Sequence, residues 1–152
     1  MSVDTRSTDL DLAPPRGRLT RPAGVIALAA VGVLSCNLLL YGIGRACGGT
    51  FVYTHDGKAV TVDPASVAIM SVVPLTLGLA LAAWLSRRRP VPITVAAIVV
   101  AVLAVATIGL MTIPAGFDTA SALSLAAMHL TLVPVAVLAL RALDPRRGEP
   151  VV

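Results

Sequence analysis

The chain has 152 residues, of which 57% are hydrophobic and 13% charged, and its net charge is +4. Soluble domains carry about a quarter charged residues, so the shortage of charge, concentrated in long uncharged blocks, excludes an ordinary soluble domain and indicates a membrane protein. The positive balance does not point to nucleic acid as a partner, because the basic residues cluster beside the apolar blocks, where they act as topology signals and meet anionic lipid headgroups.

Residues 1–20 mix Ser, Thr, Asp, Pro and Arg with no apolar period, and a disordered cytoplasmic N-terminus is expected there. A membrane domain follows over residues 21–143. A bilayer core of about 30 Å needs roughly 20 apolar helical residues. Four stretches meet this, at about 23–44, 65–85, 93–113 and 119–140, and none contains Asp, Glu, Lys or Arg. The first stretch has a second reading. Its Arg-rich approach and the run "VIALAAVGV" fit a secretory signal, and "VLSC" fits a loose lipobox ending at Cys36. The apolar run continues through "NLLLYGIG", which favours an uncleaved first helix.

Between the first two spans, residues 50–63 contain "FVYTHDGKAVTVD". Phe51–Thr54 and Ala59–Val62 are β-formers flanking Asp56-Gly57, a two-residue hairpin signal. A lone hairpin is marginal in water, so it must pack on the helices, the headgroups or a partner. Asp63-Pro64 supplies a cap and a first-turn proline for span two. "RPVP" opens span three, the short loop "PAGFD" makes spans three and four a tight antiparallel pair, and Asp118 or Thr119 caps span four. Pro74 and Pro134 lie inside spans two and four, where kinks are expected. The tail from 144 to 152 is expected to be disordered in the cytoplasm.

Orientation follows from the basic residues. Arg6, Arg16, Arg18, Arg21, Arg87, Arg88, Arg89, Arg141, Arg146 and Arg147 fall on one side, against Arg45 and Lys58 on the other. This bias puts both termini in the cytoplasm and the hairpin outside the cell membrane.

Polar residues inside the spans are the candidate site. His129 lies about 15 Å below the outer end of span four, and Asn37 about 12 Å below Arg45, at 1.5 Å per residue. Ser71 and Thr107 fall at similar depth, so four helices contribute to one polar layer. Such a layer is either a ligand, ion or proton-relay site or interhelical glue built on a neutral imidazole and an amide. Arg45 and Asp118 sit at the outer rim, as an ion pair, as the frame of an entrance, or as capping and anchoring groups. No cofactor or metal is expected: His129 has no partner histidine in the membrane for haem, and zinc ligands are not clustered. Cys36 and Cys47 are about 16 Å apart on one helix, too far for the roughly 7 Å of a disulfide. Cys47 is open to an intermolecular bridge. The spans carry no carboxylate of the kind a small multidrug antiporter uses, and there is no Walker sequence, nucleophile elbow or HExxH.

The stretches "NLLLYGIGRACGGTF", "PASVAIMSVVPL", "SRRRP" and "PAGFDTASALSLAAMHL" resemble a family of short four-span membrane proteins of actinobacteria, catalogued as a domain of unknown function. The resemblance covers about Arg21 to Leu143. It implies four helices in a plasma membrane and supplies no catalytic residue.

The expected fold is therefore all-α, a four-transmembrane-helix bundle with a small extracytoplasmic β-hairpin between helices 1 and 2. The first functional reading is a non-enzymatic accessory or structural component whose partners are the bilayer and a second copy or a membrane partner protein. The second is a small-solute or ion transporter or channel lined by His129 and Asn37. The third is a membrane enzyme acting on a lipid or quinone with His129 as acid/base.

Overall fold

A computed structural model describes residues 22–86 and 93–144. The expected disordered ends, the "RPVP" start of span three, and the arginines at 6, 16, 18, 21, 87–89, 146 and 147 lie outside the described residues. Four long helices run in sequence: α1 (Pro22–Ala46), α2 (Pro64–Ser86), α3 (Ile93–Thr107) and α4 (Thr119–Ala142). Four segments are long and apolar enough to cross a membrane, the third being Thr94–Thr112. Large apolar side chains such as Leu28, Leu39, Leu77, Val102 and Leu138 are exposed. Chains whose exterior is this apolar belong in lipid, where helices satisfy their own backbone groups. This is a multi-pass membrane protein.

Local chemistry sets the helix ends. α1 stops at a Schellman turn: Gly48 adopts φ 88°, its N–H reaches the Arg45 carbonyl at 3.1 Å, and Gly49 N–H reaches the Gly44 carbonyl at 2.8 Å. α2 starts with the Asp63 cap, whose Oδ1 accepts from Ser66 N–H at 2.6 Å. Asp118 does the same for α4, accepting from Ser121 N–H at 2.9 Å. The third span is not a uniform α-helix. From Ile108 to Thr112 it widens into a π-helical segment that keeps the span long enough to cross.

β1 (Val52–His55) and β2 (Lys58–Thr61) pair antiparallel, from Val52 opposite Thr61 to His55 opposite Lys58. Asp56 (φ 49°) and Gly57 (φ 75°) form the two-residue turn, as the DG pair indicates. Phe51 was expected in the first strand but precedes it, with φ 55° and a completely buried ring. Its carbonyl still accepts from Val62 N–H at 2.8 Å, which closes the base of the hairpin.

The helices do not pack evenly. α1 packs on α2 and α4, and α3 packs on α4, whereas α2 and α3 barely touch. The main core joins α1, α2 and α4 through Val33, Leu75, Leu79, Ala136 and Leu140. A second cluster at the hairpin end joins Phe51, Val67 and Met128, with Tyr41 and Val62 beside them. Gaps left between α2 and α3 form the principal concavity.

Candidate functional site

Asn37 is the centre of the polar layer. It is 1% exposed, and its amide Nδ2 donates to Ser71 Oγ at 2.7 Å. Its Oδ1 accepts from Thr131 Oγ1 at 2.8 Å, and that hydroxyl also reaches the Met128 carbonyl at 2.8 Å. The triad ties α1, α2 and α4 together, and in hydrocarbon such a bond contributes about 0.6–2 kcal/mol. Thr131 was not among the expected residues. It lies two positions beyond His129, in the same apolar span.

His129 has a different environment. Its Nδ1 lies 2.7 Å from the carbonyl of Leu125, one turn back on its own helix, so the imidazole bonds no other helix. Its ring is half-buried, and Nε2 makes no hydrogen bond among the described residues. No buried side-chain nitrogen or oxygen lacks a partner among the described residues, so Nε2 retains accessible surface. Thr107 is likewise bonded within its helix, donating to the Leu103 carbonyl at 2.7 Å.

Asn37, Ser71, Thr107 and His129 all line one cleft of about 1250 Å³ between α2 and α3. Its walls are chiefly apolar: Leu75 and Leu79 from α2, Val99, Val100 and Ala104 from α3, and Leu132 and Ala136 from α4. Tyr53 and Phe117, whose ring centroids are 5.2 Å apart, stand at its hairpin end. Leu143 and Asp144 lie at the other end. The π-helical segment adds Thr112, a buried hydroxyl residue, to the lining.

Arg45 and Asp118 do not pair with each other. Arg45 donates from one guanidinium nitrogen to the Gly49 carbonyl at 3.2 Å and the Thr50 carbonyl at 3.0 Å. Asp118 Oδ2 accepts from Thr50 N–H at 2.9 Å, Thr50 Oγ1 at 2.7 Å and Ser121 Oγ at 2.7 Å. Arg45 therefore holds the Thr50 carbonyl and Asp118 its N–H and hydroxyl, and neither lines the cleft. The Ser121 hydroxyl and amide, followed by those of Thr50, hold the Asp118 carboxyl well below the usual carboxylate range. Asp63 is lowered in the same way, first by the Ser66 amide. Ser121 Oγ also accepts from Phe51 N–H at 2.8 Å. A serine three residues after an acidic cap was the available signal for this rim, but its long-range partners were not legible.

A model of a family of unknown function, DUF6069, matches residues 16–146. The chain belongs to the DUF6069 family. No curated protein and no solved structure matches it. The match takes in all four helices and the hairpin of this DUF6069 chain, together with every residue of the rim and the cleft. Both cysteines are free and exposed, and no three His, Cys, Asp or Glu side chains converge among the described residues. What the DUF6069 chain offers chemically is a chiefly apolar cleft in which Nε2 of His129 is accessible.

Proposed function

We propose that this protein is a non-enzymatic accessory component of the cell membrane that holds a membrane-resident amphiphile in the cleft between α2 and α3. The carrying observation is the accessible Nε2 of His129, set in walls that are otherwise chiefly apolar. Ligand sites of this kind combine an apolar surface with a few placed polar groups. The scarcity of contact between α2 and α3 leaves the cleft beside the lipid phase, so a molecule dissolved in the bilayer reaches it without crossing water. The basic residues support cytoplasmic termini and an outer hairpin.

The cleft also runs from Tyr53 to Leu143, which favours, as a second reading, a path for a small solute or ion. Gly78 separates the readings. It lines the cleft, and a Cβ built there meets nothing within 4 Å, so Gly78→Leu adds apolar bulk to the cleft wall from an unobstructed position. The experiment is extraction of wild type and Gly78→Leu in native nanodiscs, followed by mass spectrometry of the retained small molecules. Enrichment of one amphiphile over bulk lipid, reduced several-fold in Gly78→Leu, supports the first reading. Equal lipid content in both proteins rejects it. Proton or solute flux in proteoliposomes that Gly78→Leu abolishes replaces it with the second.

A further inference from the structure

The hydrogen bonds already made by the cleft's polar groups restrict what the amphiphile presents to them. Nδ1 of His129 faces the Leu125 carbonyl at 2.7 Å, and a carbonyl only accepts, so Nδ1 carries the hydrogen. In a neutral imidazole the remaining nitrogen then has a lone pair and no hydrogen. Asp144 is the only acidic residue lining the cleft among the described residues, and it lies fifteen positions on, about 22 Å along α4. Thr107 has spent its one hydrogen on the Leu103 carbonyl, so its hydroxyl oxygen is an acceptor as well. Ser71 accepts from Asn37 and keeps its own hydrogen.

Between them, His129, Thr107 and Ser71 therefore offer the cleft two acceptors and one donor, while Tyr53, Thr54, His55, Thr61, Ser66 and Thr112 also line it. Of these three groups, a ketone or ether oxygen meets only the Ser71 hydrogen and leaves Nε2 without a donor. A phosphate finds no Lys or Arg among the described residues that line the cleft. A hydroxyl both donates and accepts. We propose that the amphiphile's polar group is a hydroxyl and that it donates its hydrogen to Nε2 of His129. This assignment rests on the cleft-binding reading above.

Aliphatic alcohols and the phenolic hydroxyls of reduced quinones share this chemistry, and two matched pairs of probes distinguish them. Farnesol is compared with farnesyl methyl ether, and decylhydroquinone, kept reduced, with its dimethyl ether. Each is titrated into the full chain in nanodiscs and counted by native mass spectrometry. The expected result is that a hydroxyl form binds roughly three- to tenfold more tightly than its ether, the worth of one hydrogen bond. The pair that shows the larger ratio identifies the source. His129→Phe keeps a ring in place and should bind the ethers as wild type does while losing the preference. A preference that persists in a folded His129→Phe overturns the role of Nε2. Equal binding within both pairs in wild type overturns the hydroxyl assignment and leaves the cleft reading standing, whether or not the variant folds. Binding of no probe, or a probe-free dimer whose second copy fills the cleft, overturns both.

Discussion

Phe51 and Ser121 are 70 residues apart in the chain, and the backbone N–H of the first donates to the hydroxyl of the second at 2.8 Å. The bond holds Phe51 in the left-handed region, at φ 55°, a conformation costly for a non-glycine residue. Its ring is seated between Tyr41, 4.5 Å away by centroids, and Val67 of α2 and Met128 of α4. The hairpin is thus fastened to the bundle by its first buried side chain and by the cap of α4.

Ser121→Ala removes both the acceptor for Phe51 N–H and a donor to Asp118. Leaving a buried amide unpaired costs about 1–3 kcal/mol. Thermal unfolding in a mild detergent should show a lower midpoint, and proteolysis within residues 50–63 should become faster. An unaltered midpoint with unaltered proteolysis would remove this bond as the hairpin's fastening.

Gly44 allows the close approach of α1, α4 and the Phe51 ring. A Cβ at this position collides with Ser124 Oγ and comes within 2.7 Å of Phe51 Cζ. Gly44→Ala is therefore expected to destabilise by about 1–3 kcal/mol, as overpacking does. At Gly42, on the same helix, a Cβ meets nothing within 4 Å. Gly42→Ala should be neutral or stabilise by up to about 1 kcal/mol through helix propensity. Equal midpoints for the two variants would contradict this assignment.

The Asn37 triad predicts coupling. Asn37→Ala and Ser71→Ala should each lower the unfolding midpoint, with the larger loss at Asn37 because it also serves Thr131. The double variant should cost less than the sum, with an interaction energy of about 0.5–2 kcal/mol. Strict additivity in the cycle would mean that the bond contributes no stability.

Acidification tests the rim. The native Asp118 carboxyl titrates below its ordinary value, so the unfolded chain binds a proton first as pH falls. The stabilisation it supplies is complete above about pH 5 and is lost as pH drops through the ordinary carboxylate range towards the native value. Wild type should therefore lose thermal stability between about pH 5 and pH 3. Asp118→Asn should start lower at pH 7 and fall less steeply. Asp63, lowered in the same direction, keeps that slope from vanishing.

Cys47 reports topology. It is exposed near the hairpin end of α1, while Cys36 is eleven positions earlier within the apolar helix. In a Cys36→Ser variant, a membrane-impermeant maleimide applied to intact cells is expected to label Cys47. Labelling only after permeabilisation would reverse the orientation drawn from the basic residues.

Some of this architecture was legible without coordinates. Span count, the DG turn and the Asp63 and Asp118 caps all depend on chemistry within a few residues of one another. The shared hold of Arg45 and Asp118 on Thr50, which takes the place of an ion pair between them, was not legible. Nor was the partner of Asn37. Depth along the helix allows either His129 or Thr131, but the two lie about 160° apart around α4, and Thr131 is the one that bonds Asn37.

Local hydropathy and capping chemistry were enough to determine four apolar helices and one hairpin, since both act over a single turn or one bilayer thickness. Helix rotation and pairing were left to the tertiary structure, because helices that are apolar on nearly every face carry little record of which face meets a neighbour. Packing decided that α4 would touch all three other helices and that α2 and α3 would stand apart. It also turned His129 away from the Asn37 triad and left its Nε2 accessible among the residues that line the cleft.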